Sequence, residues 1–126
     1  MAVAAFLAGC LGGDDDPMPA GDAARSIAAV VERLERATAR GDFATVCDEL
    51  FTAAARERAG GADCERLTRS AAEGIASPRI DVSAIDIQAG RAEVEIVTRA
   101  EGQAAVPEVL ELRRETDGWR VEALAD

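Results

Sequence analysis

The chain has 126 residues, which is the size of one ordinary domain, and it carries 24 acidic side chains against 14 basic ones. The resulting formal charge of −10 disfavours binding to nucleic acid and to anionic lipid headgroups. The sequence contains no His and no Tyr, so histidine-based triads, histidine metal sites and imidazole general bases are excluded. The composition therefore argues against an enzyme, and we expect neither a cofactor nor a metal site.

The chain begins with a short apolar segment that ends in a cysteine. Residues 1–9 are uncharged and too few to span a bilayer, which takes about 20 helical residues. The segment ends in Leu-Ala-Gly-Cys, with the cysteine at Cys10, and this motif resembles the lipobox of bacterial lipoproteins. The resemblance implies that residues 1–10 are the remnant of a signal peptide, and that Cys10 carries a lipid in an exported, membrane-anchored protein. The alternative is an unmodified Cys10 in an apolar tail.

A polar segment follows this cysteine. Residues 11–22 combine glycines, two prolines and four acids, and they offer nothing that could form a core. We expect a flexible acidic tether, with its three consecutive aspartates solvated, because a calcium site needs six to eight oxygen ligands on an ordered scaffold. The folded domain is then expected to cover residues 23–126.

Three helices are predicted at the start of this domain. The first has an apolar face at the helical spacing i, i+3, i+4, i+7, made of Ile27, Val30, Val31 and Leu34. Asp22 is predicted to cap it and Gly41 to end it. The Arg40-Gly41-Asp42 tripeptide is known from adhesion ligands. It is better explained here by Gly41 ending one helix in the left-handed conformation and Asp42 capping the next.

The second predicted helix begins at Asp42 and ends at the glycine pair 60–61. Its apolar stripe contains Phe43, Val46, Cys47, Leu50, Phe51 and Ala54. The third begins near Asp63 and ends before Pro78, with a stripe of Cys64, Leu67, Ala71 and Ile75. Three helices thus precede any strand.

After Pro78 the apolar period changes to two, which is typical of half-buried strands. The first strand places Ile80 and Val82 on one parity and Ile85 and Ile87 on the other, which predicts a β-bulge between the pairs. Further strands are expected around residues 92–98, around 106–112 and after the hairpin signal Asp-Gly at 117–118. Because no helix separates these strands, we predict a four-stranded antiparallel meander and an α+β fold. Its inward side chains would be Ala92, Val94, Ile96, Thr98, Leu110, Leu112, Trp119 and Val121.

Four segments carry a family resemblance: Ala39-Arg40-Gly41-Asp42-Phe43, the second helix with Cys47, Gly60-Gly61-Ala62-Asp63-Cys64 and Asp117-Gly118-Trp119-Arg120-Val121. They resemble the nuclear transport factor 2-like (SnoaL-like) superfamily, in particular small secreted actinobacterial lipoproteins. The resemblance covers residues 22–126 and implies a curved antiparallel sheet that wraps around the helices as a cone. The cone would be lined by Val94, Ile96, Thr98, Leu110, Leu112, Trp119 and Val121. Many members have strands between the second and third helices, whereas only residues 60–63 lie there in this chain, which predicts a shallow cone.

The two cysteines within the domain invite a pairing. Cys47 and Cys64 lie on neighbouring helix faces, which leaves Cys10 free to carry a lipid. In an exported protein, a disulfide between them would close a loop of roughly twenty residues and stabilise the fold by about 3 kcal/mol. The alternatives are two small buried thiols and a redox pair, and the redox pair is disfavoured because the spacing is not Cys-x-x-Cys.

The resemblance carries no catalytic residue over to this chain. Related isomerases and cyclases place acids, Tyr or His inside the cone, whereas the predicted lining here is apolar apart from Thr98. We expect a non-enzymatic, lipid-anchored domain of the cell envelope that binds a small apolar ligand or an envelope protein, as a monomer or a homodimer. The alternative is a cyclase- or isomerase-like enzyme with a buried carboxylate, for which Asp48 and Glu49 are candidates.

Overall fold

The computed structural model describes residues 20–125 of the chain. The predictions for Cys10, its lipobox and most of the tether therefore lie outside the described residues. Within these residues helices come first and a single sheet follows, as predicted. In this part of the chain, no helix has both the length and the apolar character needed to cross a membrane.

The first helix, α1, spans Ala20–Arg40. It begins before the predicted cap, so Asp22 lies in its first turn and forms an ion pair with Arg25. The predicted boundary of the tether at residue 22 was therefore wrong, because an acidic side chain is favourable in the first turn as well as at the cap. The helix ends as predicted at Gly41, whose φ is +72°.

The predicted second helix is broken into two. It starts as α2 (Phe43–Thr45) and continues as a π-helical turn (Val46–Leu50). The chain then becomes extended at Phe51 and enters α3 (Ala53–Arg58). The prediction of one continuous helix was wrong. Because of the break, Ala54 of the predicted stripe is exposed, and its neighbour Ala55 is buried instead.

The third predicted helix is shorter than expected. A 3₁₀ turn (Gly61–Asp63) leads into α4 (Cys64–Ala71), which ends well before the predicted stop at Pro78. Two residues of the predicted stripe, Leu67 and Ile75, are 42% and 41% exposed. The stripe was therefore only partly correct, because the chain leaves the helix after Ala71 and Ile75 lies beyond its end.

The sheet is an antiparallel meander of four strands in the order β1-β2-β3-β4, as predicted. The strands are β1 (Arg79–Gln88), β2 (Arg91–Arg99), β3 (Val106–Glu115) and β4 (Gly118–Ala125). The register of β1 against β2 shifts between Val82 and Ala84, which confirms the predicted bulge. A second bulge, which was not predicted, makes Glu122 the extra residue of β4, because Val121 pairs with Leu112 and Ala123 with Glu111.

The main core lies between α1 and one face of the sheet. Ala23, Ile27 and Val31 of α1 are buried in it, while Val30 and Leu34 are partly buried against it. The sheet contributes seven of the eight predicted inward residues: Ala92, Val94, Ile96, Leu110, Leu112, Trp119 and Val121. The eighth, Thr98, is half-buried and binds the main-chain oxygen of Val106 through its hydroxyl at 3.3 Å. A smaller core of Ala37, Phe43, Val46 and Leu50 joins α1 to α2 and the π-helical turn.

Candidate apolar groove

An open groove with a volume of about 500 Å³ lies between the helices and strands β3 and β4. Its walls come from the C-terminal half of α1, from α2 to α4 with the residues that link them, and from the end of β4. The apolar side chains that meet in it include Leu34, Phe43, Val46, Phe51, Ala71, Ala72, Ile75 and Leu124. The fold thus leaves a cleft where the helical segment and the last strand diverge.

Two side chains of the predicted cone lining, Leu110 and Val121, line this groove. Thr98 lines a second groove of about 330 Å³ that shares Thr38 and Ile75 with the first. The other predicted residues line neither cleft: Val94, Ile96, Leu112 and Trp119. This part of the prediction was wrong because α1 packs directly on those side chains and fills the space that an open cone would have left.

The helical walls of the groove were missed by the sequence analysis. Phe51 contributes because the chain is extended there and forms a parallel bridge to Val121 of β4. The main-chain N–H of Thr52 donates to the carbonyl oxygen of Val121 at 2.9 Å, and the Thr52 hydroxyl caps α3. A threonine followed by three alanines is a signal for such a helix start, since threonine is a favoured N-cap.

A disulfide fixes the wall that α4 provides. Cys47 of the π-helical turn and Cys64 at the start of α4 are bonded, with their Cα atoms 6.1 Å apart, as predicted. Both residues are buried, and the Thr68 hydroxyl lies 3.9 Å and 3.7 Å from the two sulfurs. Since Thr68, Ala71 and Ala72 line the groove, the disulfide ties this wall to the rest of the helical segment.

A second contact holds α4 against the α1–α2 junction. The guanidinium of Arg69 lies over the ring of Phe43, 5.3 Å from its centroid. It also donates to the main-chain oxygen of Gly41 and to the carboxylate of Glu65, both at 3.3 Å. Because Phe43 itself lines the groove, this cation–π contact supports the same wall from outside.

Charged side chains enter the groove at one end. In the described part of the chain these are Arg58 of α3 and Glu122 of the β4 bulge. Arg58 donates to the main-chain oxygen of Glu122 and lies 3.7 Å from its carboxylate. Arg113 lies 3.9 Å from the other oxygen of the same carboxylate. Glu122 is therefore paired with two guanidinium groups.

The two carboxylates considered as catalytic candidates lie outside the groove. Asp48 and Glu49 are exposed and pair with Arg56 at 3.2 Å and with Arg33 at 2.9 Å. Among residues 20–125, no three acidic or cysteine side chains come together in a way that could hold a metal ion.

Two other carboxyl groups have shifted pKa values, and both shifts are downward. Hydrogen bonds from the hydroxyl and main-chain N–H of Thr45 hold the pKa of Asp42 below its usual value. A hydrogen bond from Arg120 does the same to the pKa of Asp117. Neither carboxylate lines the groove, and a general base at neutral pH has a raised pKa.

Two solved structures are similar to this chain. One is a crystal structure of a nuclear transport factor 2-like protein of unknown function from Silicibacter pomeroyi, with a TM-score of 0.66 and 16% identity over 85% of this chain and 96% of that one. The other is a de novo designed protein with the nuclear transport factor 2 fold, with a TM-score of 0.55 and 16% identity over 81% of this chain and 85% of that one. No protein-family model and no curated protein matches the sequence. These likenesses, together with the helices packed on a curved four-stranded antiparallel sheet, show that the chain has the nuclear transport factor 2-like fold that its sequence predicts.

Proposed function

We propose that this protein is a non-enzymatic binding domain of the cell envelope, anchored through a lipid on Cys10, and that the groove beside β4 holds a small apolar ligand. The observation that carries the proposal is the groove itself. Its volume of about 500 Å³ falls within the range of roughly 300–1,000 Å³ typical of small-molecule sites. Leu124, at its rim, is 55% exposed. A contiguous apolar surface of this kind is typical of an interaction site, because covering it removes apolar area from water.

The charges in the groove favour binding over proton transfer. Its carboxylate, Glu122, is paired with Arg58 and Arg113. A carboxylate in this position is stabilised in its charged form, whereas acid–base catalysis in related folds needs a carboxyl group whose pKa is raised by burial. This supports a binding role for the groove rather than a cyclase- or isomerase-like reaction.

Two observations support the location. The Leu-Ala-Gly-Cys sequence ending at Cys10 is similar to a lipobox, and the disulfide Cys47–Cys64 is of a kind that persists in oxidising compartments outside the cytoplasm. The acidic segment that follows Cys10 would separate the domain from the membrane surface.

The groove is tested with a neutral apolar fluorophore, N-phenylnaphthylamine, titrated into the full chain. We expect a saturable rise in fluorescence with one binding site per chain. Ala71→Trp would fill the groove from α4 and abolish this signal. Ala54→Trp is the matched control, because Ala54 is exposed on α3 and does not line the groove. An unsaturable signal, or equal binding to both variants, would contradict the proposed site.

A further inference from the structure

The polar end of the groove has an excess of positive charge. Arg58 and Arg113 share the single carboxylate of Glu122, at 3.7 Å and 3.9 Å from its two oxygens. The neighbouring acid on α3, Glu57, has its carboxylate beside Gly61 and does not line the groove. Two cations and one anion therefore meet at this end, although the chain as a whole carries a charge of −10.

Arg58 has capacity for a further anion. A guanidinium group has five N–H donors, and the described contacts of Arg58 engage Glu122 alone. Its side chain is 56% exposed, whereas that of Glu122 is 20% exposed. The cation at the mouth of the groove is therefore more accessible to a ligand than the carboxylate paired with it.

The remainder of the groove is apolar and begins directly beside this cation. Ala55 and Ala59, on the same helical segment as Arg58, line it, and so do Phe51 and Val121 where the chain bridges to β4. A ligand that matches both parts has an alkyl chain and one anionic group. A neutral apolar ligand would leave Arg58 without a partner of its own, and a cationic one would be repelled by it.

We propose that the ligand of the groove is an anionic amphiphile of the fatty-acid type, whose alkyl chain lies on the apolar walls and whose carboxylate binds the guanidinium of Arg58. This inference rests on the proposed function and names the ligand class for the same site. The overall negative charge of the domain does not prevent it, because at physiological ionic strength exposed charges more than about 8 Å away are largely screened.

The test compares three ligands with the same alkyl chain and different head groups. Dodecanoate, dodecanol and dodecyltrimethylammonium, each below its micellar concentration, compete with N-phenylnaphthylamine for the full chain. We expect dodecanoate to bind about tenfold more tightly than dodecanol, as a charge-assisted hydrogen bond predicts, and the cation to bind most weakly. The preference for dodecanoate should shrink as salt is added.

Substitutions assign the preference to its residues. Arg58→Gln should bring dodecanoate to the affinity of dodecanol and leave dodecanol unchanged, whereas Arg58→Lys should keep part of the preference. Glu122→Gln should strengthen dodecanoate binding, because it removes the competing carboxylate. Arg56→Gln is the matched control, since Arg56 lies on the same helix, pairs with Asp48 and does not line the groove.

The outcomes separate this inference from the proposed function. If the fluorophore binds but dodecanoate and dodecanol compete equally, the anionic ligand is excluded while the apolar groove remains a binding site. If Arg58→Gln weakens both ligands alike with an unchanged circular dichroism spectrum, Arg58 is part of the wall and the proposal is overturned. If the fluorophore itself does not bind, the proposed function fails first.

Discussion

At the scale of single residues, short polar side chains decide where the helices begin. The Asp42 carboxylate accepts hydrogen bonds from the main-chain N–H of Thr45 at 3.3 Å and from its hydroxyl at 2.8 Å, and so starts α2. The Thr52 hydroxyl accepts the main-chain N–H of Ala55 at 3.0 Å and starts α3. Because Thr52 also bonds to β4 through its own N–H, this cap holds the point at which the helical segment meets the sheet.

Replacing Thr52 tests the importance of this cap. Thr52 is 2% exposed, so in Thr52→Ala the N–H of Ala55 loses its partner in a buried place. We expect the free energy of unfolding to fall by about 1–2 kcal/mol. Thr52→Ser keeps the hydroxyl and should retain most of the stability. Urea denaturation, followed by the fluorescence of the buried Trp119, gives the comparison. Equal losses in the two variants would show that the methyl group, not the cap, stabilises the junction.

The cap at Asp42 predicts a dependence on pH. Its pKa in the folded state is lowered by the hydrogen bonds from Thr45, so its contribution to stability is complete above the unfolded-state pKa of about 4 and is lost as the pH falls through the lower, folded-state value. The gap in urea midpoint between the natural chain and Asp42→Ala should therefore be present near neutral pH and shrink in strong acid. A gap that is independent of pH would contradict this assignment.

At the scale of elements, the sequence predicts structure where the apolar period changes visibly. The parity change between Val82 and Ile85 coincides with the bulge in β1. The bulge in β4 leaves no such sign, because Trp119, Val121 and Ala123 alternate without interruption. With Glu122 as the extra residue, Leu124 pairs with the buried Leu110 and lines the groove. Strict alternation with Val121 would instead have placed Leu124 on the opposite face of the strand.

The break in the second helix could not be predicted for a related reason. Its apolar stripe continues at helical spacing through Phe51 and Ala54, so local spacing favours one helix. The contact that breaks it, between Phe51 and Val121, joins distant parts of the chain. The groove depends on this break and on the packing of α1, which is why the sequence predicted the inner face of the sheet correctly but placed the cavity wrongly.

The disulfide between the π-helical turn and α4 makes a prediction at the same scale. Replacing both cysteines in Cys47→Ala/Cys64→Ala, or reducing the natural protein, should lower the free energy of unfolding by about 3 kcal/mol. Because α4 forms one wall of the groove, binding of N-phenylnaphthylamine should weaken as well. Reductant should have no effect on the double variant, which serves as the control. Unchanged probe binding in the double variant would show that α4 stays in place without the bond.

At the scale of the whole molecule, composition and topology divide the proposed tasks between two parts of the chain. The domain from α1 to β4 holds the apolar groove, and residues 1–19 hold the lipobox-like motif with Cys10. A net charge of −10 gives the domain no general attraction to an anionic membrane surface. Association with the membrane should therefore depend on the lipid and not on the folded domain.

Substituting Cys10 tests this division in a producing bacterium. We expect Cys10→Ser to move the protein from the membrane fraction to the medium, because the proposed acyl group has no attachment site. Met18→Ser is the matched control, since it changes the adjoining acidic segment and leaves the cysteine. Intact mass spectrometry of the natural chain should find a species that begins at Cys10 and carries acyl mass. Retention of Cys10→Ser in the membrane fraction, or a natural chain that still carries Met1 without added mass, would contradict the anchor. The groove would then have to be explained in a protein that reaches its ligand without being held at a membrane.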